Sequence, residues 1–248
     1  MNNAIFFHEY PGKRDPLASI NCTYIGPLGT GLQSKIIIGE TPLNTFSTDS
    51  GHDRAWAPAL LESYSDAEII ILTIPKASYL FGDGLGYTLE LTDYFKEFGF
   101  HVNRYAFEFP HLGAPIQGST GFILATKEVH TPIKALMRTE VSVSTILPDI
   151  ITHAPKFIQK VAFVSGTGAL NGFLKSHTHP LPVLLEWQGV PLLCERRTGN
   201  TLILDRISCA EVATLYGVEV KSLDSLEPLL KVVPNLVYDT FIGRVLSL

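Results

Sequence analysis

The chain is poor in the residues that mark several common protein classes. No run of about 18 apolar residues occurs, which excludes a transmembrane helix by the usual length rule. Cysteine is scarce: Cys22, Cys194 and Cys209 are far apart and no Cys-x-x-Cys occurs. They read as packing residues of an intracellular protein rather than a disulfide or zinc framework. The start, Met-Asn-Asn-Ala-Ile-Phe-Phe-His-Glu, lacks a basic n-region and a full apolar h-region, so no secretory signal is expected. The expected location is intracellular, in cytoplasm and nucleoid or in a nucleus. His177 and His179 are close, but Pro180 follows and no cysteine is near, so no metal site is expected. Strong positive charge is missing too. The net charge of −5 does not advertise a nucleic-acid binder.

What is present suits one or two compact domains: 248 residues, 46% of them hydrophobic. The charge is unevenly spread. Residues 1–126 hold 7 Lys/Arg against 13 Asp/Glu, net −6. Residues 127–206 hold 9 against 6, net +3, and residues 207–248 hold 3 against 5, net −2. The basic middle segment is either ordinary fluctuation or the footprint of an anionic partner. Gly26, Gly29 and Gly31 form a turn, but no Lys-Ser/Thr follows in the register of a phosphate loop.

Periodicity gives the elements. Ala4–Phe7 is a short apolar strand. Ile36, Ile37 and Ile38 form a β-branched run punctuated by Gly39 and Pro42, the pattern of a buried strand entering a tight loop. In open α/β sheets, sites lie at such carboxyl ends. Ser47–Arg54 is a polar stretch. Trp56, Ala59, Leu60 and Tyr64 have helical spacing, and Glu68–Ile74 is a second buried strand. In Tyr87–Gly99, Leu91, Tyr94, Phe95 and Phe98 fall at i, i+3, i+4 and i+7, with Gly99 as the C-terminal cap. Phe100–Phe109 alternates as a strand, and Phe122–Ala125 reads as a closing strand, antiparallel at the sheet edge. Beyond residue 127, turns at 165–168, 171–172 and 197–200 separate short strands such as Val161–Val164 and Val183–Trp187. Ser208 and Glu211 form a capping box, and Gly217 stops the helix that they open.

Several stretches, in order, resemble the cytosine-5 DNA methyltransferase family. Lys35–Ser47 resembles the strand leading to Gly-x-Pro-Cys-Gln-x-Phe-Ser, with Leu43 in place of the nucleophilic cysteine and Asn44 in place of the glutamine. Thr73-Ile74-Pro75 stands where the family has Glu-Asn-Val. His111–Ala125 is similar to the Tyr-Gly-Val-Pro-Gln-x-Arg-x-Arg stretch, with Gly118 and Thr120 at the two arginines. Val141–Ile150 resembles the passage into the family's recognition domain. Arg206–Gly217 and Tyr238–Val245 resemble its last shared stretches. Glu9 and Asn21 match a ribose-binding acid at a strand end and the end of the helix after it. Glu9 taken alone reads equally well as a solvated residue. The adenine-edge aspartate falls on Pro27. Too few residues precede Glu9 for the family's opening strand and glycine-rich turn.

The resemblance implies a Rossmann-like α/β fold: a mostly parallel, doubly wound sheet, the first strand missing, with a small mostly-β recognition domain. Residues 1–126 would be the methyltransferase-like core, 127–206 the recognition domain, and 207–248 a segment returning to the core. Leucine has no nucleophilic atom and a threonine hydroxyl is no general acid near neutrality. The expectation is therefore a catalytically inactive protein, with no catalytic residue, no cofactor and no metal. Its retained role would be DNA recognition, regulation of an active methyltransferase, or both. Arg54, Lys156, Lys160, Lys175, Arg196 and Arg197 are the candidate DNA contacts; each also reads as part of a solvated face. The expected partners are double-stranded DNA, an active methyltransferase chain or a second copy, and no membrane. The family's first strand being absent would leave a sheet edge for such a partner to cover. Two alternatives stay open. One is a stand-alone sequence-specific DNA-binding protein, a repressor or competitor for restriction sites. The other is an essential accessory subunit of a two-chain methyltransferase.

Overall fold

Three strands of the central sheet pair in parallel around the first one. β1 (Asn3–Phe7) is bonded to β3 (Asn21–Ile25) on one side and to β4 (Ile36–Glu40) on the other. Along the chain, the two-residue strand β2 (Lys13–Arg14) falls between β1 and β3 but belongs to another sheet. The computed structural model describes residues 3–8, 13–25, 32–41, 55–74, 82–114, 118–133, 158–159, 183–187, 190–197, 201–206, 209–219 and 232–247.

After β4 come α1 (Trp56–Ser63), β5 (Ile69–Ile74), α2 (Gly82–Glu97), β6 (His101–Glu108), a 3-10 turn at Phe109–Leu112, and β7 (Ser119–Thr126). The six-stranded sheet has the order β3-β1-β4-β5-β7-β6. β4 and β5 are parallel, whereas β7 runs antiparallel to both β5 and β6. The closing strand expected at the edge therefore lies inside the sheet, and β6 is the edge. Its flanks explain this: all residues from Thr120 to Thr126 are buried, as in a strand paired on both sides.

A second, four-stranded antiparallel sheet has the order β8-β11-β10-β9, from β8 (Ile158–Gln159), β9 (Val183–Trp187), β10 (Val190–Arg197) and β11 (Thr201–Arg206). The chain then gives α3 (Cys209–Tyr216), β12 (Val218–Glu219) and α4 (Asn235–Val245). β12 pairs with β2, so a C-terminal strand is stitched to an N-terminal one.

Side-chain alternation sorts the central sheet into two apolar faces. Ile5, Phe7, Ile37, Ile70, Leu72 and Ile123 face α1 and α2, packing on Leu60, Tyr64, Leu91 and Phe95. Ala4, Phe6, Ile36, Ile38, Ile71, Phe122 and Leu124 face α3 and α4, packing on Val212, Leu215, Tyr238 and Phe241. A sheet covered on both faces needs continuous apolar strands, which is what the isoleucine runs supply.

Local chemistry sets the ends. Pro58 is tolerated in the first turn of α1, where its absent N–H has no intrahelical partner to lose. Gly99, at φ 79°, ends the α2 segment, and Lys127 Nζ donates to the Phe98 carbonyl at 2.6 Å. Gly217, at φ 66°, ends α3. A Cβ there would lie 2.8 Å from that of Asn235.

Two further expectations change. Asn21 does not end a helix. It opens β3, and its side-chain amide donates to Asn3 Oδ1 at 3.0 Å. Only residues 15–20 lie between β2 and β3, too few for a helix of ordinary length. The opened sheet is also not found among the described residues: β1 contacts β3 and β4 directly, so no gap separates them. β1 and β4 pair directly where the missing first strand was expected to leave an opening.

Candidate functional site

The parallel strands β1, β4 and β5 end side by side, at Phe7 and His8, at Gly39 to Thr41, and at Thr73 and Ile74. β3 lies on one side of β1 and β4 on the other, so the strand order reverses beside β1. Crevices at such points are where α/β sheets place ligands.

The polar groups at these ends form one network. Thr41 N and Thr41 Oγ1 both donate to the Thr73 carbonyl, at 3.2 and 2.6 Å. Thr73 Oγ1 meets the Tyr238 hydroxyl at 2.9 Å and the Gly39 carbonyl at 3.4 Å. Arg14, whose side chain is fully buried, ion-pairs with Glu40. Its other terminal nitrogen donates to the Val233 carbonyl at 3.0 Å and to Asn235 Oδ1 at 2.7 Å. The guanidinium lies 5.1 Å from the centre of the Phe6 ring and 5.4 Å from that of Tyr238, within cation–π range. His8 is buried edge-on to Phe6 and Tyr24.

Electrostatics follow from burial. The Tyr238 phenol is held well above its ordinary range by loss of water, then by the Glu40 carboxylate. Arg14 and the Thr73 hydrogen bond oppose this without overcoming it. Tyr238 is thus a fixed neutral hydroxyl. Tyr24 is pushed up to about 12, first by burial and next by Cys22. The Cys22 thiol is also raised to about 12, by burial and then by Asp239. A thiol so raised is a poor nucleophile near neutrality.

Over Gly39 the space is taken by the Phe7 ring, which a Cβ on that glycine would strike. Phe7 packs in turn on Trp56, with ring centres 6.0 Å apart. S-adenosylmethionine, the methyl donor that the resembled family uses, needs an acceptor for its ribose diol and open backbone at the strand ends. Among the described residues, Glu40 is engaged by Arg14 and Phe7 covers Gly39. Glu9, the acid that the resemblance sets at the ribose diol, lies outside the described residues, and no step is derived through that group.

The positions singled out in the sequence fare differently. Thr73 is in the network, as a partner of Tyr238. Thr120 is buried, its hydroxyl donating to the carbonyls of Ile74 and Gly121 at 3.3 and 3.1 Å. A Cβ on Gly118 would strike the Phe109 ring. Arg196 and Arg197 are the last two residues of β10, in register with Leu202 and Thr201 of β11. Glu9, Pro27, Leu43, Arg54, Lys156, Lys160 and Lys175, with His177 and His179, lie outside the described residues. Among the described residues, no group of three His, Cys, Asp or Glu side chains gathers to hold a metal, and no helix is long and apolar enough to cross a membrane.

Sequence reasoning missed Arg14 and Asn235. A lone arginine between Lys13 and Asp15 carries no local signal, and its partners are 26, 219 and 221 residues away.

The fold defines a class: an α/β sheet of the methyltransferase kind, mostly parallel, with an antiparallel strand inserted next to the edge. Solved methyltransferases share it over their whole length. The Entamoeba histolytica methyltransferase EhMeth is 9% identical with a TM-score of 0.57, covering 100% of this chain and 98% of that one. The S. pombe Dnmt2 methyltransferase is 10% identical with a TM-score of 0.54, covering 100% and 99%. A putative DNA modification methyltransferase encoded within a prophage of E. coli gives 10%, 0.54, 100% and 99%. No family model and no curated relative matches the sequence.

This likeness corrects the expectation of a protein that is not an enzyme. That expectation rested on side chains lacking at single positions, Leu43 and Thr73 above all. Proteins named as methyltransferases superpose on this chain from end to end. Leu43 removes one covalent route. It leaves unchanged the fold that this chain shares with proteins named as methyltransferases.

Proposed function

We propose that this chain is a methyltransferase-related protein that recognises duplex DNA and works with a methyltransferase chain as its recognition or regulatory partner. One observation carries the reading. The likeness spans 100% of this chain and 98–99% of these three neighbours, one of them named as a putative DNA modification methyltransferase, so it takes in the strand-rich segment together with the core. In this reading residues 1–126 and 207–248 are the scaffold, and residues 127–206, net +3, are the reader. Lys156, Lys160, Lys175, Arg196 and Arg197 supply phosphate and base contacts, with Arg54 added from the core.

The test is fluorescence anisotropy of labelled duplexes with the purified chain, at several salt concentrations. Six phosphate contacts give a slope of log K against log salt of about −5. Removing Arg196 and Arg197 together lowers its magnitude by about 2. The same titration is repeated with a DNA methyltransferase chain present, and sedimentation reports whether the two, or two copies, associate. Absence of salt-dependent duplex binding under both conditions overturns the reading. Tight, sequence-selective binding by the chain alone, with no association, replaces the partner role with that of a stand-alone reader.

A further inference from the structure

We propose that Arg14 is an internal latch: a guanidinium ion sitting in a cation cage built by β1, β4 and α4, whose occupancy fastens the C-terminal segment to the strand ends.

The cage has two kinds of wall. The Phe6 and Tyr238 rings stand 5.1 and 5.4 Å from the guanidinium carbon and present π-faces to the charge. The polar wall is the Glu40 carboxylate, the Val233 carbonyl and the Asn235 side-chain oxygen. These groups come from three distant parts of the chain. The lock is doubled by Asn235, whose amide donates to the carbonyls of Asp15 and Gly217, each at 2.8 Å. Asp15 N reaches the Gly217 carbonyl as well, at 2.9 Å. One cation thus holds β2, the end of β4, the residues before α4 and the first residue of α4 together.

The shape of the cage selects its occupant. Two acceptors, Val233 O and Asn235 Oδ1, share one terminal nitrogen, and Glu40 takes the other. A planar fork reaches all three, whereas a compact ammonium does not. Arg14 Nε finds no acceptor among the described residues, so the cage grips the far end of the side chain and not its stem. A free guanidinium ion therefore presents every group that the cage reads.

The experiment is chemical rescue in the full chain. Arg14→Ala removes the buried guanidinium from Glu40, Val233 and Asn235, and the melting temperature falls by about 6–20 °C. Limited proteolysis then cuts the C-terminal segment well before the central sheet. Added guanidinium chloride, in the low millimolar range and far below denaturing concentrations, raises the melting temperature of Arg14→Ala along a saturating curve and slows that cleavage. Sodium chloride at matched ionic strength does neither. Guanidinium leaves the wild type and the double variant Arg14→Ala/Glu40→Gln unchanged, because the first cage is full and the second is empty but has lost its charge. If Arg14→Ala does not fold, Arg14→Lys decides: it melts several degrees below the wild type and gains nothing from guanidinium. Failure of guanidinium to rescue a folded Arg14→Ala, or an Arg14→Lys protein as stable as the wild type, overturns the latch.

Discussion

Replacing Tyr238 by phenylalanine tests the strand-end network directly. Tyr238 has 0% exposure, and its hydroxyl lies 2.9 Å from Thr73 Oγ1. Without the phenol oxygen, Thr73 keeps only the Gly39 carbonyl among its named side-chain partners, and that bond is long at 3.4 Å. A lost neutral hydrogen bond costs about 1 kcal/mol, and a buried hydroxyl left poorly satisfied raises the total to about 1–2.5 kcal/mol. For a chain of this length each kcal/mol moves the melting temperature by about 2–4 °C, so Tyr238→Phe melts about 2–10 °C lower. Thr73→Val has a similar cost, since it strands the phenol instead. The double variant loses little more than either single one, because an apolar pair leaves nothing unsatisfied. Urea unfolding of all four proteins should therefore give a coupling of about 1 kcal/mol. Strict additivity of the two single changes refutes the contact.

Three further outcomes follow from packing and titration. Phe241 is fully buried and stacks on Phe122 with ring centres 4.0 Å apart, so Phe241→Ala costs about 3–5 kcal/mol. A Phe241→Ala melt no lower than that of Leu246→Ala, a partly exposed control, would show that α4 is not part of the core. Gly39→Ala forces its methyl group onto the Phe7 ring and costs about 1–3 kcal/mol, relieved in part by adding Phe7→Leu; an undisturbed melt for the single variant contradicts the close approach of β1 and β4. Burial raises the Tyr216 phenol from 10.0 to about 12. The unfolded chain then releases that proton first, so stability is intact below pH 10 and falls as pH rises towards about 12, by up to about 3 kcal/mol. Tyr238 adds to the same alkaline limb, which Tyr238→Phe makes shallower; a melting temperature independent of pH across that window refutes the burial of both phenols.

The core was legible because burial on two faces leaves a mark in the sequence itself. Ile36–Ile38 and Ile69–Leu72 are apolar at every position, and both belong to inner strands of the sheet. The helical spacing of Leu91 and Phe95 placed both in the core. Phe98, on the same expected stripe, is 50% exposed, because the helix has already ended at Glu97; its ring rests instead on Tyr94. Pairing left no such mark. Nothing within Ser119–Thr126 says that it enters between β5 and β6, since a strand buried on both sides reads alike in either direction. The strand-end network was least legible. Lys13-Arg14-Asp15 looks like any solvated turn, and only the return of the chain at Val233 and Asn235 gives Arg14 its partners.

That contrast bears on how a missing side chain is weighed. Leu43 excludes a covalent adduct through that position, and Thr73 excludes proton donation there near neutrality. Both are statements about single atoms, and they hold. The inference from them to a whole protein without activity goes further than two positions carry, because the fold as a whole is that of solved proteins named as methyltransferases. Thr73 itself is kept in place by a tyrosine 165 residues further on, in the helix that Arg14 also holds. A threonine at that position is one half of a buried contact that ties the end of β5 to α4. Its chemistry there is positional, and substitutions at Tyr238 reach the strand ends as surely as substitutions at Thr73.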